Sequence, residues 1–182
     1  MGLLVSVLGV YMPEYVKKSA LTQLFNFTAA AFEAKVPSLA GLDSREVLAA
    51  YGLFTRDHAE QRLRDASAGE AVKQCLYRSA VEMGRRYEKW LRPRTVQDVM
   101  AIGRVFYRIL AIDFQGDARG EVVIDHCYFS RFYSCEVCRF MSAMDAGLFA
   151  GLSKGGELMF TSRITEGDPC CRAHFRLPED SK

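Results

Sequence analysis

The chain has 182 residues, 49% of them hydrophobic and 25% charged, enough to bury one sizeable core and too few to make two domains the expectation. Its formal charge of +2 is small, and acids are spread among its Lys and Arg residues, which argues against the basic footprint of a nucleic-acid binder. The longest candidate for membrane insertion, Leu3–Met12, is about half the roughly 20 residues of a spanning helix, and no basic residue precedes it as in a secretory signal.

A single domain over 1–182 is therefore expected, with reduced thiols and a cytoplasmic setting. Met1-Gly-Leu-Leu-Val-Ser6 fits the short N-myristoylation pattern, which has meaning only in a eukaryotic cell.

Residues 14–34 carry apolar side chains at three- and four-residue spacing (Leu21, Leu24, Phe25, Ala31, Phe32) and predict a packing helix. Asp43 with Glu46 reads as a capping pair for a short helix that Gly52 ends. Thr55 then caps a separate outer helix from Arg56, in whose charged run His58 reads as solvated.

Val72, Leu76, Ala80, Met83, Tyr87 and Trp90 form the inward stripe of a helix from Glu70 to Leu91, stopped by Pro93. Thr95 and Asp98 cap the next helix, which runs to about Tyr107 or Arg108.

From Ile109 the period changes to two. Leu110, Ile112 and Phe114 alternate with Ala111, Asp113 and Gln115, and a Gly116–Gly120 turn leads into Val122–His126. After a helix over 135–152 come a strand from Leu158, a turn over 165–169, and a strand from Cys171 with Ala173 and Phe175 on one face. The expected fold is α+β: a helical layer over about 1–108, packed on a four-stranded antiparallel sheet within 109–177, with one helix inserted between the strand pairs.

Five of the six cysteines lie in that second part. On the helix over 135–152, Val137, Met141, Met144, Leu148 and Leu152 make the stripe expected to lie on the sheet. About 100° round the axis, Cys138, Ser142, Asp145 and Phe149 make a second stripe in which a thiol, a hydroxyl and a carboxylate line up, as on the wall of a small-ligand pocket.

Three chemistries compete for the thiols. A four-thiolate zinc site from Cys135, Cys138, Cys170 and Cys171 is disfavoured because adjacent strand residues point to opposite faces, although a three-ligand site with His126 or His174 stays open; no cofactor is otherwise expected. A redox Cys-x-x-Cys belongs in a parallel βαβ unit, and this sheet reads antiparallel. Nucleophilic or acid–base work remains, with Cys138 and Asp145 as the catalytic candidates. His126, which reads as the end of the second strand, is a further pocket candidate. His174 reads as pointing away from the core.

The run Cys127…Cys138…Ser142-Ala-Met-Asp145…Phe160…Thr165-Glu-Gly167-Asp168-Pro-Cys-Cys171 resembles the L-2-amino-thiazoline-4-carboxylic acid hydrolase family and, more distantly, 4-vinyl reductase-type ligand domains. The resemblance covers about the last 60 residues. It implies helices on an antiparallel sheet and hydrolysis of a thiazoline or related cyclic C–N bond in a small amino-acid derivative. In the enzyme reading Cys138 and Asp145 are catalytic, while Cys127, Ser142, Cys171 and His126 line the substrate site. Ser142 stands where the family has a Cys, and Ala173 where it has a Phe.

The alternative is a non-catalytic small-ligand or protein-interaction module. The expected partner is a small molecule, with neither nucleic acid nor membrane. A homodimer through Phe25, Phe27, Phe32 and Met141 is also open.

Overall fold

The structure is a computed structural model that describes residues 12–178. The apolar run beginning at Leu3 and the Met1–Ser6 pattern therefore lie outside the described residues, apart from Met12. Among the described residues, five helices and a four-stranded antiparallel sheet make an α+β fold, with four helices N-terminal to the sheet and one inserted between its strand pairs. The helices are α1 (Glu14–Ala31), α2 (Ser44–Leu63), α3 (Ala66–Leu91), α4 (Val96–Ile109) and α5 (Cys135–Leu152). The strands are β1 (Ile112–Gly116), β2 (Glu121–Cys127), β3 (Glu157–Ser162) and β4 (Cys171–Arg176), in spatial order β1-β2-β4-β3.

Local chemistry sets most helix starts. Asp43 and Glu46 form a reciprocal capping box on α2, as Thr95 and Asp98 do on α4. The Ser134 hydroxyl accepts the Val137 N–H at the start of α5.

Three helical expectations are corrected. Gly52 does not end a helix and Thr55 does not start one, because α2 is continuous from Ser44 to Leu63. Gly52 is buried where the Phe132 ring approaches the backbone, and Thr55 returns its hydroxyl to the Tyr51 carbonyl at 2.8 Å, so both serve packing inside the helix. His58 is half-buried, 4.3 Å from the Phe54 ring and 5.5 Å from Phe32; burial, then Arg62, lowers its pKa. Trp90 does not join the inward stripe of α3 and is 87% exposed.

α5 passes through the centre of the fold. On one side it crosses α3 at backbone contact: a Cβ on Gly147 would strike the Tyr77 carbonyl oxygen, on Gly151 the Val81 carbonyl oxygen, and on Gly84 the Leu148 carbonyl oxygen. Val137, Met141 and Met144 sit on this helical side with Leu76, Ala80 and Phe32. That corrects the expectation that their stripe lies on the sheet.

The sheet instead receives the other stripe. Phe149 is fully buried against Phe114 and Phe175, and Tyr107 stacks on Phe114 at 4.6 Å. Fully burying one such ring stabilises by about 2–3 kcal/mol, which locks the C-terminal half of α5 onto the strands. Phe25, Phe32 and Met141 are buried in this chain, and Phe27 lies under Arg86.

Candidate functional site

Towards the N-terminal half of α5 the helix and the sheet separate, and a cavity of about 140 Å³ opens between them. Its apolar wall comes from α1, α3, α4 and α5, including Leu24, Met83, Phe106, Leu110 and Leu148. Its polar end gathers Cys127, Cys138, Ser142, Asp145, Arg163 and Cys171. Five of the six residues singled out in the sequence for this site thus line one space.

The sixth, His126, does not. It is exposed and lines a separate groove with Arg104 and Arg108. The reason is a β-bulge. Ile112 pairs with Cys127 and Phe114 with Ile124, so β2 spends three residues where β1 spends two. Simple alternation after Val122 and Ile124 would turn His126 inward; the extra residue turns Cys127 inward instead.

A second bulge does the same on the opposite edge strand. Phe160 pairs with Ala173 and Ser162 with Arg172, two steps on β3 against one on β4. Arg163, rather than Ser162, becomes the next residue to reach the cavity. The turn that follows holds it there: Gly167 adopts φ 95°, and the Asp168 carboxylate accepts the Arg163 backbone N–H at 3.1 Å. The Gly167-Asp168 pair noticed in the sequence is therefore the fastening of Arg163. Arg163 itself was missed, since nothing in the alternation of the strand marks it.

Its side chain is 15% exposed, lies over the Phe160 ring at 4.7 Å, and donates to the Ser142 hydroxyl at 3.4 Å. Glu166 is 3.9 Å away but bonds Arg139 at 2.7 Å, and the Arg163 Nε is buried without an acceptor. A buried donor left unpaired costs stability unless a ligand or water supplies the acceptor.

Asp145 accepts the Tyr107 hydroxyl at 2.6 Å. It is partly buried and lines the cavity. That burial raises its pKa from 3.8 to about 6, against the opposing pull of the Tyr107 hydrogen bond and the Arg163 charge. The carboxyl thus titrates near neutral pH.

The thiols are held protonated. Burial pushes Cys127 up to about 12 and also raises Cys138 and Cys171. The Thr165 hydroxyl and Arg163 work against this at Cys138. The Cys171 sulfur accepts the Ile164 N–H at 3.4 Å. The Ser142 hydroxyl donates to the Cys138 carbonyl at 2.8 Å while it receives Arg163.

Cys135 leaves the group: its thiol donates to the Glu136 carboxylate at 2.9 Å, so the Cys135–Cys138 pair is not one unit. His174 bonds Glu121 at 2.7 Å on the outer face of the sheet, as its parity predicts. Among the described residues no three His, Cys, Asp or Glu side chains come together as a metal site. All six cysteines are free thiols.

No protein-family model, no curated protein and no solved structure matches this chain.

Proposed function

We propose that this domain binds a small molecule in the α5–sheet cavity, its apolar body against the helical wall and its polar end at Arg163, Ser142 and Asp145. The observation that supports this most is the half-satisfied Arg163 guanidinium at the polar end of an otherwise apolar hollow. The reading agrees with the resemblance to 4-vinyl reductase-type ligand domains. Native mass spectrometry of the protein purified without denaturation should detect a bound small molecule, with occupancy falling about tenfold or more in Arg163→Met. Equal occupancy in the two proteins, or an empty wild-type cavity, would sink it.

A second reading is favoured by one specific feature, a carboxyl titrating near pH 6 two turns along the helix from a thiol. In it the domain hydrolyses a cyclic C–N bond, as the resemblance to thiazoline-carboxylate hydrolases implies. Cys138 attacks the ring carbon as its thiol proton passes to the Asp145 carboxylate, and Asp145 hands that proton to the departing nitrogen as the C–N bond breaks. Water then adds to the carbon held on sulfur and displaces the Cys138 thiol, with Asp145 relaying the proton. The raised Cys138 pKa means that substrate binding has to be coupled to loss of the thiol proton. Ring-opening turnover that disappears in Cys138→Ala and Asp145→Asn supports this reading; turnover unchanged in both removes it.

A further inference from the structure

The end of α3 carries a second feature, on the outside of the molecule. Within Arg85–Arg94 stand five cations, Arg85, Arg86, Lys89, Arg92 and Arg94, and one acid, Glu88. The whole chain has a net charge of only +2, so the remainder is net negative and the positive charge is concentrated here. All five cations are exposed. Glu88 is engaged by Lys154 at 3.3 Å, whereas Arg85, Lys89, Arg92 and Arg94 form no ion pair among the described residues.

In their midst is Trp90, 87% exposed and the chain's one tryptophan. Arg85, Lys89 and Arg92 share one helical face at four- and three-residue spacing, and Arg86 and Trp90 share the adjoining face. Arg92 then takes a left-handed φ of 45° and Pro93 stops the helix, which leaves Trp90, Arg92 and Arg94 at a corner of the fold. Leu91 and Pro93 beside them are half-buried.

We infer that this corner docks on the surface of a lipid bilayer containing anionic phospholipid, the cations facing the headgroups and the Trp90 indole entering the interfacial zone. Indoles favour that zone because an apolar ring and an N–H donor are both accommodated there, and clustered Lys and Arg supply the attraction to an anionic leaflet. The contact is peripheral, since no described helix is long and apolar enough to cross a membrane. Single-stranded nucleic acid is the less suitable occupant: it is bound along a groove with stacking aromatics, and here one indole stands at a helix end.

The single tryptophan makes the test site-specific. The full chain is mixed with phosphatidylcholine vesicles with and without about 30% phosphatidylserine, and sedimentation and Trp emission are recorded. Binding to the anionic vesicles only, a blue shift of the emission, and loss of both at high salt are expected. The triple reversal Lys89→Glu, Arg92→Glu, Arg94→Glu should weaken binding by at least about tenfold. Trp90→Ala should weaken sedimentation with the charges intact, which keeps the test valid should the triple variant misfold. Unshifted emission, equal binding to neutral vesicles, or quenching of Trp90 by a single-stranded oligonucleotide at tighter affinity than by vesicles would each overturn the inference.

Discussion

The two sides of α5 differ in how closely they meet their neighbours. Against α3, glycines at 84, 147 and 151 let the two backbones touch at the crossing. Against the sheet, Phe149 fills the space near one end, but Cys138, Ser142 and Asp145 are too short to fill it near the other. Interiors are normally packed to crystal-like density, and a hollow forfeits the contacts its lining would have made. Close packing on the first side offsets the hollow kept on the second. The tight side is thus read as scaffold and the open side as site.

The sharpest way to break the contrast is to force the tight side apart. Gly151→Leu drives a branched side chain into the Val81 carbonyl and should destabilise by about 3 kcal/mol or more, measured by urea unfolding. If the loss were below about 1 kcal/mol, the crossing would not be the scaffold.

On the open side, Asp145 should make stability pH-dependent. Its folded pKa lies above its unfolded value, so the folded state holds the extra proton; the contribution is full below about 4 and lost as pH rises through about 6. The difference is roughly 3 kcal/mol. Asp145→Asn should flatten urea midpoints across that window, and an unaltered slope would place the titration elsewhere.

Thr55→Val removes a hydroxyl that meets Tyr133 as well as the Tyr51 carbonyl, and should cost about 1 kcal/mol in thermal or urea unfolding. His126→Ala should change stability by less than about 0.5 kcal/mol and leave ligand occupancy by native mass spectrometry unaltered, since the side chain faces solvent. A His126 variant with an emptied cavity would contradict the bulge in β2.

Much of this contrast was legible in the residues. The bounds of α5, the inward set Cys171, Ala173 and Phe175, and the alignment of Cys138, Ser142 and Asp145 follow from period and caps. Which partner each stripe of α5 would meet did not follow. Both stripes are apolar enough to be buried, and the decision came from the glycines, which allow only the Gly147–Gly151 side to approach α3. Likewise Gly52 and Thr55 carry stop and start chemistry, but burial beneath Phe132 and beside Tyr133 overrode it.

By itself the sequence determined the elements apart from the single α2 helix, which it split at Gly52, together with their order, the α+β class and the polar face of one helix, because these depend on neighbours a few residues apart. Only the tertiary structure decided which side chains complete the site. A bulge is set by pairing with another strand, and one extra residue reverses the phase of all that follow. Two such bulges exchanged His126 for Cys127 and Ser162 for Arg163, and so placed a thiol and the site's cation in the cavity.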